Sequence, residues 1–343
     1  MFKQGVSLTS SSPAVFYGTA ALAAYLLSDL SSQWPDMSAR WRASGSPLTL
    51  TETAVTVGGA PPADTKLCWV VTAVMLVLAL VEHVLSVLAD LVPLLECAEQ
   101  GGAWAVYKSF FVNKFPMVFE VLPFSPAASV LLLYLNLTCT FLWNVIDIVV
   151  VVISSLLASR FRRFNRFLEK ARGKDLSKFW WQEVRESYNR LAVVTKHFDA
   201  HINGIVLLSF ASNLFFICLQ LLHNMTKQKN NGVLAHLYFY LSFAWLLVRT
   251  AVVSMSAANV YEQSMVPIEV LYCVPSKSFC VEVQRFLVQV TTDTVALTGC
   301  RFFWVTRSLI LTLVGTVATY EIVLVQFHTD KGKTELVASA CSL

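Results

Sequence analysis

Six stretches of this chain are apolar for about 17 residues or more, the length a helix needs to cross ~30 Å of hydrocarbon. They fall at about 14–30, 67–93, 127–158, 203–223, 234–257 and 302–327. Inside a bilayer every backbone N–H and C=O must be satisfied within the protein, so isolated runs of this length fold as helices. Of 343 residues, 56% are hydrophobic and 14% charged, at mean hydropathy +0.60. That is more apolar side chain than a soluble domain of this length needs for its core. The predicted class is an all-α, polytopic membrane protein.

Charge then sets the direction of threading. Arg160, Arg162, Arg163, Arg166, Lys170, Arg172, Lys174, Lys178, Arg185, Arg190 and Lys196 crowd the connection after the third run, and basic connections stay on the cytoplasmic side. Alternation places 31–66 and 258–300 inside. It leaves 94–126, 224–233 and the tail from His328 outside, with both termini extracellular. Asn224-Met225-Thr226 is then a glycosylation triplet in an outside loop, with Asn224 as the acceptor. The first run follows Lys3 as a secretory signal would, but it lacks a small-x-small cleavage site and leads into Trp34-Pro35, so it reads as a true helix.

The connections differ in kind. Ser44 to Thr65, with Gly58-Gly59-Ala60-Pro61-Pro62, reads as a flexible loop. From Lys174 to Ile202, by contrast, Phe179, Trp180, Val184, Tyr188, Leu191 and Val194 recur at helical spacing, and Val281 to Leu297 carries Phe286, Leu287 and Val290 on one face before a break at Gly299. These segments predict helices that project into the cytosol and pack together as an anchor.

Enzymatic chemistry finds no support, because no nucleophile, base and orienter fall together. No cofactor and no nucleic-acid partner are expected. Eight cysteines are scattered without a CxxC spacing, so neither a disulfide framework nor a zinc site follows. His197 and His201 flank Asp199 without a third ligand nearby and read as a solvated helix face rather than a metal site. What stands out instead is polarity at bilayer depth, which marks functional positions by default. Asn136, Thr140, Trp143 or Asn144, and Asp147 share one helical stripe, and Glu82 or His83, Ser86 and Asp90 share another.

The last run ends in Thr319-Tyr320, five further residues, then Gln326-Phe327. This Thr-Tyr and Gln-Phe spacing resembles the signature of insect gustatory receptors. Arg285-Phe286-Leu287, Thr292-Asp293, Ala296-Leu297-Thr298-Gly299, Phe302-Phe303, Thr306-Arg307 and Gly315-Thr316 resemble the sugar-taste group of that family. So do Glu82 to Ser86, Trp143-Asn144 with Asp147, Arg160-Phe161 with Asn165, Asn213-Leu214 with Gln220-Leu221-Leu222, and Arg249-Thr250 upstream. The resemblance covers nearly the whole chain.

It implies the insect chemoreceptor fold, with seven spans, a cytoplasmic N-terminus and an extracellular C-terminus. Six spans are counted here, so the first is expected to be absent from this chain. It also implies a multi-pass protein of the plasma membrane of gustatory neuron dendrites. The expected assembly is a homo- or heterotetramer with other gustatory receptor subunits, forming a sugar-gated, non-selective cation channel in the lipid bilayer. On that basis 1–258 is expected to form the ligand-binding bundle, 259–300 the cytoplasmic anchor, 301–327 the pore-lining helix and 328–343 an extracellular tail. A co-receptor subunit that binds no sugar, and a secondary transporter for a small polar solute, are the alternatives.

A sugar site needs carboxylates and amides for hydroxyl pairs and an aromatic face for ring C–H groups. The candidates are Glu82, His83, Trp143, Asn144, Asp147, Asn213, Gln220, Tyr240 and Trp245, forming a pocket open to the outside. Asp147 has a competing reading as a buried ion pair with Arg249. On the last run Thr312, Thr316, Thr319, Val323 and Gln326 step by four, three, four and three, which places them on one face. With the resemblance, Thr316, Thr319, Val323, Gln326 and Phe327 are the expected pore residues, Val323 closing the path by dewetting. A polar helix interface is the competing reading.

Overall fold

The computed structural model describes residues 8–43, 63–96, 102–226, 233–320 and 322–323. Its helices are α1 (Leu8–Ala43), α2 (Ala63–Glu96), α3 (Gly102–Lys114), α4 (Pro116–Phe119), α5 (Pro126–Glu169), α6 (Lys178–Thr226), α7 (Val233–Met265), α8 (Pro267–Leu271) and α9 (Val281–Thr292). A short hairpin, β1 (Thr298–Gly299) and β2 (Phe303–Trp304), precedes α10 (Arg307–Tyr320).

Among the described residues five helices, α1, α2, α5, α6 and α7, are long and apolar enough to cross a membrane. The expected count was six. The last run enters the described residues as the hairpin followed by α10 from Arg307, which is described to Tyr320 and again at 322–323. Thr298 pairs with Trp304 and Gly299 with Phe303, the turn being made by Cys300 at φ 47° and Arg301 at φ 62°. Gly299 permits this closeness: a Cβ there would sit 2.3 Å from the Phe303 ring. The break expected at Gly299 is therefore real, but it opens a hairpin rather than a helix.

Helix α5 is central, packing against α1, α2, α6 and α7. With 44 and 49 residues, α5 and α6 extend about 66 and 74 Å at ~1.5 Å per residue, about twice the hydrocarbon thickness. Their basic ends are held by an apolar seam of Phe161, Phe164 and Leu168 on α5, Trp181, Val184 and Tyr188 on α6, and Phe286 and Val290 on α9. Trp181 is 1% exposed and takes the place expected for Phe179, which is 80% exposed. Trp181, Val184 and Tyr188 step by three and four, whereas Phe179 lies two residues off that face. The α9 helix stops at Thr292 rather than Leu297, because Asp293 turns to extended backbone at φ −93°, ψ 102°.

Polar groups pin this end. Arg185 Nε lies 2.8 Å from Glu282 Oε2 and Arg285 Nη1 lies 3.0 Å from Oε1, and the Arg185 hydrogen bond, then both positive charges, hold the Glu282 carboxyl below the usual range. Tyr188 donates its hydroxyl to Ser264 O at 3.1 Å. The expected solvated face at His197 and His201 is instead a joint: His197 Nε2 lies 3.0 Å from Asp36 of α1. Asp199, 8% exposed, accepts from Thr298 N at 2.6 Å and from Thr298 Oγ1 at 2.8 Å. The hairpin leading to α10 is thus clamped to α6.

At the opposite end, the segment 94–126 holds α3 and α4 rather than an open connection. Phe110, Phe111 and Phe115 bury against Val87, Leu91 and Leu94 of α2 and Leu132 and Leu133 of α5. The backbone of α6 continues to Thr226, so the triplet at Asn224 begins in its last turn, not in a loop; that side chain lies outside the described residues. So do 44–62, Gln326, Phe327 and the tail from His328.

Candidate functional site

Helices α1, α2, α3, α5, α6 and α7 surround a cavity of about 800 Å³, within the range of small-molecule sites. Glu82, Ser86 and Asp90 reach it from α2 at steps of four, and Asn136, Thr140 and Trp143 reach it from α5 at steps of four and three, so each set shares one helical face. Phe16 and Tyr17 come from α1, Phe110, Asn113 and Lys114 from α3, Phe216 from α6 and Tyr238 from α7.

The wall mixes polar and aromatic side chains. Lys114 Nζ lies 2.5 Å from Asp90 Oδ2, Thr140 Oγ1 3.4 Å from His83 Nδ1, and Asn136 Nδ2 donates to Tyr17 OH at 3.3 Å. Ser242 Oγ donates to Glu82 Oε1 at 2.5 Å and accepts from Gln220 Nε2 at 3.2 Å. Among the aromatic residues, Trp143 and Phe216 have centroids 4.6 Å apart, and Phe16 lies 6.4 Å from each.

Behind Trp143 lies a second, closed polar group. Arg249 of α7, 1% exposed, donates to Asn144 Oδ1 at 2.9 Å and to Asn213 Oδ1 at 3.1 Å. Its Nε lies 3.0 Å from Asp147 Oδ2, and its guanidinium sits 4.0 Å from the Trp143 ring centroid. Asp147 accepts in addition from Ser209 and, at 3.3 and 3.2 Å, from Asn213 Nδ2. Cation and anion are compensated and hydrogen-bonded, which a charge at this depth requires.

The nine expected ligand residues therefore separate. Glu82, His83 and Trp143 line the cavity. Gln220 stands one hydrogen bond behind Glu82, through Ser242. Asn144, Asp147 and Asn213 belong to the Arg249 network, the competing reading of Asp147. Tyr240, 60% exposed, and the partly buried Trp245 do not reach the cavity; Tyr238 does, and residues two apart on a helix face nearly opposite ways. Phe16, Tyr17, Phe110, Asn113, Lys114, Phe216 and Tyr238 were missed.

Helix α10 presents two faces. Ile310, Leu313 and Val317 pack on the bundle, Val317 against Ile217, Leu221 and Leu246. Thr312, Thr316 and Thr319 are exposed on the other side, with Val323 39% exposed beyond them. Each threonine hydroxyl donates to the carbonyl four residues earlier, at 3.0, 2.9 and 2.8 Å. The protons point into the helix and the oxygen lone pairs stay available.

Residues 1–341 match the trehalose receptor family. The chain belongs to that family. It is 33% identical over 329 residues to the Drosophila melanogaster gustatory receptor for sugar taste 64f, covering 95% of this chain and 67% of that one. It is 34% identical over 327 residues to gustatory receptor 5a for trehalose of the same organism, covering 95% of this chain and 71% of that one. This member of the trehalose receptor family is thus a multi-pass plasma-membrane protein of the sugar-taste group of gustatory receptors, a group of receptors and not of enzymes. Its fold is that of the insect chemoreceptors: the olfactory receptor OR5 of Machilis hrabei, solved in complex with eugenol, superposes with a TM-score of 0.59 over 95% of this chain and 83% of that one, at 14% identity.

Proposed function

We propose that this chain is a subunit of a sugar-gated, non-selective cation channel, with the sugar in the cavity and α10 as the pore helix of a homo- or heterotetramer. The observation that carries the reading is the composition of the cavity wall: carboxylates at Glu82 and Asp90, an amide at Asn136 and aromatic faces at Trp143 and Phe216 around about 800 Å³. Carboxylates and amides take up hydroxyl pairs, and rings cover the apolar face of a pyranose. The relatives named for sugar taste and for trehalose support a sugar, and trehalose in particular. The open threonine stripe of α10 supports the pore, because hydroxyl oxygens replace part of a cation's hydration without fixing its charge. In this reading the basic ends of α5 and α6 with α8 and α9 are the cytoplasmic anchor, and the triplet at Asn224 belongs to the extracellular side as a glycan acceptor.

The test is current in cells expressing the chain, alone and with other gustatory receptor subunits, against a panel of sugars including trehalose. Glu82→Gln is expected to raise the half-activating concentration about ten- to a hundredfold, as loss of a charged acceptor does. Coincident dose–response curves at equal surface level would remove the cavity from the mechanism. Gln326→Glu and Val323→Ser, at equal assembly, are expected to change divalent permeability and to give current without sugar. Unchanged behaviour in both would return that face to protein packing.

A further inference from the structure

Trp143 joins the cavity, the Arg249 network and the seat of α10. It lines the cavity next to Phe216, it covers the Arg249 guanidinium at 4.0 Å, and it packs on the cluster of Ile217, Leu221 and Leu246 that also receives Val317 of α10. Phe216 shares the first and third contacts, but its ring is not the one over Arg249. Arg249 in turn ties α7 to Asn144 and Asp147 of α5 and to Asn213 of α6.

We propose that Trp143 is a positioning residue that reports occupancy of the cavity to α10, acting through Arg249. The proposal rests on the reading of the cavity as the sugar site and of α10 as the pore helix. A sugar stacked on the cavity side of the indole holds the ring in place. Without that stack a turned indole competes with the seated one, and turning withdraws its π face from Arg249 and its edge from the cluster beneath Val317. In a dry interior a guanidinium is stabilised by an aromatic face that replaces some of its lost hydration. The two indole positions therefore differ both in the energy of the α5–α6–α7 network and in the seat offered to α10. Close-packed interiors switch between discrete arrangements rather than deform smoothly.

The experiment separates binding from opening. Binding is read as the trehalose-induced thermal shift of the purified chain, and opening as maximal trehalose-evoked current at matched surface level. Trp143→Leu, which also removes a stacking face from the cavity, is expected to move the midpoint of the thermal shift about tenfold and, at saturating trehalose, to lower the maximal current about tenfold as well. Trp143→Phe restores most of that current. Arg249→Lys lowers it in the same way, and the double variant with Trp143→Leu is no worse than Arg249→Lys alone, because both remove one interaction. A shifted midpoint with an unchanged maximal current, or losses that multiply in the double variant, would overturn the proposal while leaving the sugar-channel reading in place. If Trp143→Leu fails to reach the surface, Trp143→Met replaces it, and a maximal current equal to that of the unaltered chain overturns the proposal. Neither current nor thermal shift in the unaltered chain would sink the sugar-channel reading and this proposal together.

Discussion

At the scale of single residues, Asp147 shows how depth and partners decide a role. Its side chain is fully buried and paired with Arg249, so Asp147→Ala leaves a cation uncompensated in the interior. Breaking a buried pair from one side costs about 3–5 kcal/mol, a large share of the ~5–15 kcal/mol that holds a protein folded. Asp147→Ala is therefore expected to lower surface expression and thermal stability sharply, whereas Glu82→Gln, whose neighbour Ser242 keeps a partner, is expected to reach the surface. Surface biotinylation of both variants checks this, and normal surface levels for Asp147→Ala would return it to the ligand wall. The cavity was legible where polar residues repeat every three or four positions, as on α2 and α5. It was illegible on α1 and α3, where the contributing rings carry no polar periodicity, and Asn213 and Gln220 differ from true wall residues only in which way the helix is turned.

At the scale of elements, the long helices were plain in the sequence because a bilayer admits few other solutions for uninterrupted apolar runs. The hairpin before α10 was not, since Phe302, Phe303 and Trp304 look like the start of the next helix by composition alone. Only the Ala296-Leu297-Thr298-Gly299 stretch hinted at it, and its function became visible once Thr298 was found on Asp199. Gly299→Ala puts a methyl group 2.3 Å from the Phe303 ring. Overpacking of this kind costs about 1–3 kcal/mol, so a lower melting temperature of the solubilised protein is expected. Adding Phe303→Ala removes the obstruction, and the double variant should melt no lower than Phe303→Ala alone. Strictly additive losses would place the origin of the defect elsewhere.

At the scale of the molecule, five helices of spanning length among the described residues surround a cavity at one end, while two of them run on to a basic, apolar-seamed end at the other. The orientation read from charge expects that basic end in the cytosol. An epitope inserted after Gly173, between α5 and α6, should be reached by antibody only after permeabilisation; labelling of intact cells would invert the threading. The open face of α10 carries one more implication. Its three threonines have each committed their proton to the helix, so whatever passes along that face meets oxygen but no hydrogen to hold. Chloride would find nothing there to coordinate it, and a metal ion would find a ladder of rungs. If α10 lines the proposed pore, the row would reject one sign of charge without bearing any charge itself, and hydroxyls that do not ionise near neutrality would discriminate equally well in acidic and alkaline food.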